Sequence, residues 1–165
     1  MIEDRNGGIK NLKELECLRL LSENYVGRLA FIVSKNPYIT PITYFYDAEE
    51  NSILSYSAPG YKIEAMRKYQ SIAFQVDDVQ SIQEWRSVLV HGKFEQLGGS
   101  TAKKYLHRFS EGVQHTIAEK DNGTPKFIQD FSSRLQQRGI PIVYRIRITD
   151  VVGKYRGDFS VNGLQ

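Results

Sequence analysis

The sequence predicts a mainly β fold, six antiparallel strands closed or split into a small barrel, with helices at its periphery. Three observations carry this. Six segments rich in β-branched and aromatic residues follow one another in meander-like order, most of them through short polar connections of the kind that join antiparallel neighbours. The second and fifth strands carry Pro41 and Gly92 near their middles, where a barrel strand meets an edge or bends. Helical patterning is confined to three places: near the start, after the third strand, and late in the chain.

At 165 residues the chain fits one domain, 1–165, with a substantial hydrophobic core. A formal net charge of +3 is too small to argue for nucleic acid, whose binders concentrate Lys and Arg on one face. Tyr44, Tyr46, Tyr56 and Tyr61 supply aromatics for such a surface, but the charge near them is sparse. Cys17 is the one cysteine, so no intrachain disulfide forms, as suits a reducing compartment. His91, His107 and His115 are scattered without metal-ligand spacing, and His91 reads as a rim residue. No apolar run approaches the roughly 20 residues of a membrane span, and the polar start through Lys10 does not read as a signal peptide. The expectation is a cytoplasmic protein.

The elements follow in order. Asn11, answered by Glu14 three residues on, is placed to cap a first helix ending near Asn24. Its apolar stripe is Leu12, Leu15, Leu18 and Leu21 with Cys17, read as core packing. Residues 26–33 form the first strand. Ser34 to Pro37 is a turn. Tyr38–Tyr46 is the second strand, with Pro41 marking an edge or bulge that leaves backbone groups free for a ligand. Ile53–Ser57 is the third strand and Lys62–Gln70 the second helix. Ser71–Asp77 is the fourth strand, with Ile72, Phe74 and Val76 on one side, and Asp78–Gln83 is a loop. Trp85–Leu97 is a long fifth strand that bends at Gly92. Thr101–Glu111 is helical, and 113–138 reads as loop and short helices. Ile140–Ile148 alternates cleanly and continues as the last strand toward Tyr155.

The chemistry concentrates between Ser55 and Lys62. A strand ends in hydroxyls, Ser55 and Ser57. Pro59-Gly60 turns the chain, and Lys62 stands in the first turn of the following helix. Hydroxyls, free helix N–H groups and a cation meeting at a helix start suit a phosphate. On the residues alone, the same pattern also describes a surface strand–turn–helix with a solvated lysine.

Several segments together resemble a known family. Val26-Gly27-Arg28-Leu29-Ala30, Tyr38 with Pro41-Ile42-Thr43-Tyr44, Ser57-Ala58-Pro59-Gly60-Tyr61-Lys62, Phe74 with Val76-Asp77, Trp85-Arg86-Ser87-Val88 and Arg145-Ile146 occur in the order found in the pyridoxamine 5'-phosphate oxidase-like FMN-binding split-barrel family. The resemblance is to its nitroimidazole-resistance (Nim-type) branch and covers roughly residues 12–155. It implies a six-stranded antiparallel split β-barrel and a homodimer that binds FMN, sometimes FAD, in clefts between subunits. Carried over by position, Lys62 would contact the cofactor phosphate with Ser57 beside it. Ile42, Thr43 and Tyr44 would line the isoalloxazine, partly through backbone. Trp85, Arg86 and Ser87 would meet the cofactor from the long strand. Arg86 and Ser87 alternate to opposite faces, so one of the two is expected to be structural. Nim-type proteins often carry a His where this chain has Tyr56, which could hydrogen-bond flavin or substrate, or be a half-buried strand aromatic. The implied activity is a flavin-dependent oxidoreductase serving a small-molecule electron donor and acceptor, nitroaromatic reduction among the outcomes. A non-catalytic flavin carrier or sensor on the same fold is the alternative. No residue is named as catalytic, since the flavin itself carries the redox chemistry.

Overall fold

Among the described residues eight strands, all paired antiparallel, build one curled sheet. The structure, a computed structural model, describes residues 8–121 and 140–158. Its strands are β1 Lys10–Asn11, β2 Val26–Val33, β3 Asn36–Thr43, β4 Phe45–Asp47, β5 Ser52–Ser57, β6 Ser71–Ser81, β7 Glu84–Leu97 and β8 Ile142–Arg156. Its helices are α1 Glu14–Ser22, α2 Tyr61–Lys68 and α3 Gly99–Asp121. The strand order is β3-β2-β6-β7-β8-β5-β4, with β1 added beside β8.

The ends of that order, β3 and β4, are consecutive in the chain and separated only by Tyr44. Thr43 pairs with Val26 of β2, whereas Phe45 pairs with Leu54 of β5. Between them the Tyr44 N–H donates to the Tyr25 carbonyl at 2.8 Å. The expected second strand is therefore two strands, because its backbone changes partner at Tyr44. The sheet's two edges meet along one run of backbone and no ladder closes them, which makes the barrel split. This division and the short β1 account for eight strands where six were expected.

Pro41 lies on β3, which among the described residues pairs only with β2, so its missing N–H interrupts no central ladder. The bend expected at Gly92 is a bulge. His91 pairs with Asp150 but Gly92 with Ile148, so Thr149 is the extra residue on β8. A Cβ on Gly92 would stand 2.6 Å from Ile146 Cγ2 and 2.7 Å from the Arg147 carbonyl oxygen. Only glycine lets β7 and β8 approach this closely.

Burial divides the chain into two cores. Inside the barrel Leu29, Phe31, Ile53, Phe74, Val76, Val88, Val90 and Ile146 pack with Leu20 and Leu21 of α1 and Ile63 and Met66 of α2. Outside it, α3 lays Tyr105, Phe109 and Val113 over Leu54, Tyr56, Leu97 and Val143. Strand β5 lies between the two and is buried on both faces.

Several boundaries differ from expectation. Lys13, not Asn11, precedes α1; its N–H donates to Glu16 at 2.6 Å, while Asn11 pairs with Lys154 in β1. The buried face of α1 is Cys17, Leu20 and Leu21, and Leu15 is exposed. Residues 78–81 are strand rather than loop, because Asp78 pairs with Arg86 and Val79 with Trp85 in a long hairpin. α3 continues through 113–121, where Val113 and Thr116 carry on its buried face. His115 is thus on this helix, beside Glu119, rather than in a loop. The rest of the 113–138 stretch lies outside the described residues from 122 onward.

Candidate functional site

The split in the barrel sets the site. Beyond Leu54, β5 keeps β8 as its partner on one side but loses β4 on the other. β3 likewise has β2 on one side and a free edge on the other. The Ser55 hydroxyl spans the gap, donating to the Thr43 carbonyl at 2.8 Å. Backbone at the ends of two strands is thereby left without a sheet partner, and a polar ligand can use it.

β5 then delivers the chain to the turn at Ala58–Gly60. Ser57 is half-buried, and its hydroxyl donates to the Ala58 carbonyl at 3.0 Å. Gly60 is the N-cap of α2, and no side chain caps the helix. The first-turn N–H groups therefore present their partial positive charge without a side-chain acceptor. Lys62 stands in that turn. It is half-buried, no described carboxylate lies within ion-pair distance of it, and desolvation pulls its pKa below 10.5. A cation in this position gains from an arriving anion, which offsets the cost of its burial.

The nine residues expected at a cofactor site fall into three places. Thr43, Ser57 and Lys62 border the split and its turn. Ile42, Tyr44 and Tyr56 are buried. The Tyr44 ring packs edge-on to Phe74 at 4.8 Å and its hydroxyl donates to the Leu21 carbonyl at 2.6 Å. Burial pushes its phenol well above the ordinary range. Only the backbone of Tyr44 is left for a ligand, and its N–H is already used. Tyr56 turns away from the barrel and packs edge-on to Phe109 of α3 at 5.0 Å.

Trp85, Arg86 and Ser87 form the third place, and alternation divides them. Arg86 shares the inward face with Asp78 and pairs with it at 3.0 Å and with Glu23, the C-cap of α1, at 3.3 Å. Burial pushes the Asp78 carboxyl up, but hydrogen bonds from Arg86 and Gln80 outweigh it and hold the group below its usual range. Ser87 and the half-buried Trp85 are on the outer face. There Gln75 donates to both Ser87 Oγ and Asp77 Oδ2 at 3.0 Å, and Arg28 lies 3.9 Å from Asp77. Val26, Ile39, Val79, Leu89 and Val152 are exposed on the same face of the sheet.

Two groupings were missed in the sequence. One is the Arg28–Gln75–Asp77–Ser87 network, which strand alternation would have found had β2, β6 and β7 been recognised as neighbours. The other is the ring cluster Phe31–Tyr38–Tyr61, with centroids 6.0–6.2 Å apart, at the start of α2.

Comparison with known proteins bears on this arrangement. Residues 13–155 match the family model described as pyridoxamine 5'-phosphate oxidase. An uncharacterized protein of Rhizobium meliloti is 32% identical over 89 residues, 54% of this chain and 58% of that protein, so the match spans little more than half the relative's length. Among solved structures, a FAD-binding protein of Mesorhizobium loti superposes with a TM-score of 0.67 at 27% identity, over 91% of this chain and 98% of that one. A candidate 5-nitroimidazole antibiotic resistance protein of Bacteroides thetaiotaomicron superposes with a TM-score of 0.62 at 15% identity, over 92% of each chain.

Proposed function

This chain belongs to the pyridoxamine 5'-phosphate oxidase family, and from that premise we propose that it is a flavin-dependent oxidoreductase. The FMN moiety, free or as part of FAD, is held by its phosphate at the Ser57–Lys62 turn. Lys62 is the observation that carries this reading: a half-buried ammonium with no carboxylate of the described residues in ion-pair distance, at the start of an uncapped helix. A phosphate there gains charge-assisted hydrogen bonds and favours the charged form of the lysine against its desolvation. The likeness to a FAD-binding protein supports the same class of ligand.

The residues present fit the phosphate end of the group better than its ring end. The free edge of β3 offers the isoalloxazine backbone rather than the Ile42 and Tyr44 side chains, which are in the core. When bound, the flavin supplies two-electron chemistry, and the chain's own part is to orient it and shape access. A second copy covering the outer face of β2, β6, β7 and β8 would bury Leu89, Val152 and the Arg28–Ser87 network, and would close the cleft from the other side. The acceptors would include nitroaromatic compounds, and the setting would be the cytoplasm. Tyr56 favours a carrier as the second reading: a buried phenol stands where Nim-type proteins often have an imidazole.

The test is flavin binding by Lys62→Ala. Loss of one charge-assisted contact should weaken FMN affinity about 10- to 100-fold, measured by flavin fluorescence. Unchanged affinity removes the phosphate assignment. Bleaching of the bound flavin by NAD(P)H and reoxidation by a nitro compound separates the enzyme from a carrier.

A further inference from the structure

If Lys62 holds the flavin phosphate, as read above, the surface beside it decides which flavin is retained. Tyr61 is the first residue of α2 and the chain neighbour of Lys62, and it is 65% exposed. Tyr38 on β3 is 44% exposed. Neither ring is buried, yet the fold brings them together, edge-on with centroids 6.2 Å apart. Both lean on the buried ring of Phe31, at 6.0 Å from Tyr38 and 6.2 Å from Tyr61. Phe31 thereby steadies two aromatic faces that still look into solvent. A steadied, exposed aromatic surface is what a planar heterocycle stacks on.

The position of this surface selects the heterocycle. FMN ends at its phosphate and has nothing further to offer the rings. FAD continues from that phosphate through a second one to adenosine. A diphosphate gripped at the turn therefore releases its adenosine next to Tyr61. Adenine is uncharged, so stacking is the recognition these rings can provide. We propose that Tyr61 and Tyr38 form the platform for the adenine of FAD, and that they make this chain retain FAD in preference to FMN.

The experiment titrates the flavin-free full chain with FAD and with FMN, for wild type, Tyr61→Ala, Tyr61→Phe and Tyr38→Ala. Wild type should bind FAD about ten-fold or more tighter than FMN. Tyr61→Ala should remove about that factor from FAD and leave FMN within about two-fold. Tyr61→Phe should keep the preference, because the ring face is kept, and Tyr38→Ala should lose part of it. The exposure of both rings makes the Ala variants compatible with folding. Equal affinities in wild type, or equal losses of both flavins in Tyr61→Ala, overturn the platform while leaving the phosphate grip in place. Binding of neither flavin overturns the grip and the platform with it. If Tyr61→Ala changes the oligomeric state instead of FAD affinity, a second copy covers the rings and the proposal is wrong.

Discussion

Replacing Gly27 with Ala tests how the barrel's interior is filled. A Cβ at position 27 would stand 2.2 Å from Phe74 Cζ and within 3 Å of two more ring carbons. Ordinary contact begins near 3.4 Å, so the ring must retreat by more than 1 Å. It has nowhere to go cheaply. Phe74 is fully buried and packs on Tyr44, which is itself fixed by its bond to the Leu21 carbonyl. Overpacking of this kind costs about 1–3 kcal/mol, and the short distance argues for the upper end. Removing a glycine from a strand returns about 0.5–1 kcal/mol. The net cost is then about 2 kcal/mol, or a fall in Tm of about 4–8 °C for a chain of this length. Thermal and urea unfolding of Gly27→Ala, Phe74→Leu and the double variant would measure it. Because the cost arises from one contact, the double variant should be more stable than the two singles predict, by about 1 kcal/mol. A Gly27→Ala protein within about 0.5 kcal/mol of wild type, or strictly additive singles, refutes the reasoning.

Other expectations follow from the same geometry. Tyr44→Phe should cost about 1–3 kcal/mol by leaving the buried Leu21 carbonyl without its donor, with flavin affinity unchanged; lost affinity at unchanged stability would return the Tyr44 side chain to the ligand site. Hydrogen bonds from Arg145, and then Arg147, hold the Glu95 carboxyl below its ordinary 4.5 despite partial desolvation. Its stabilisation is therefore complete above that value and lost as pH falls through the depressed one. Glu95→Gln should flatten that acid limb of a urea-midpoint profile, and an unchanged limb would assign the loss to other groups. Leu89→Asp, on the exposed outer face, should lower self-association and flavin retention together; a variant that sediments like wild type would exclude this face as the contact.

The candidate site was legible where its chemistry is local. Ser55, Ser57, Gly60 and Lys62 lie within eight residues, and the strand-to-helix transition that groups them is written in consecutive side chains. What the Tyr44 and Tyr56 side chains would meet could not be read in the same way. Whether a strand aromatic faces a ligand or a helix depends on what packs against the strand, and α3 lies more than forty residues beyond Tyr56. Alternation correctly separated Arg86 from Ser87 but could not say what each would meet. Glu23 approaches Arg86 from 63 residues away.

The sequence by itself determined the order of six strand segments and three helices, the edge at Pro41, the bend at Gly92, and a lysine at a helix start. These are consequences of local sterics and of apolar period, which each segment carries alone. Tertiary structure decided that the backbone changes partner at Tyr44, that Tyr56 lies under α3, and that Tyr38 meets Tyr61. Such pairings join residues far apart in the chain, and their free energy comes from a barrel that exists only once all of its strands are in register.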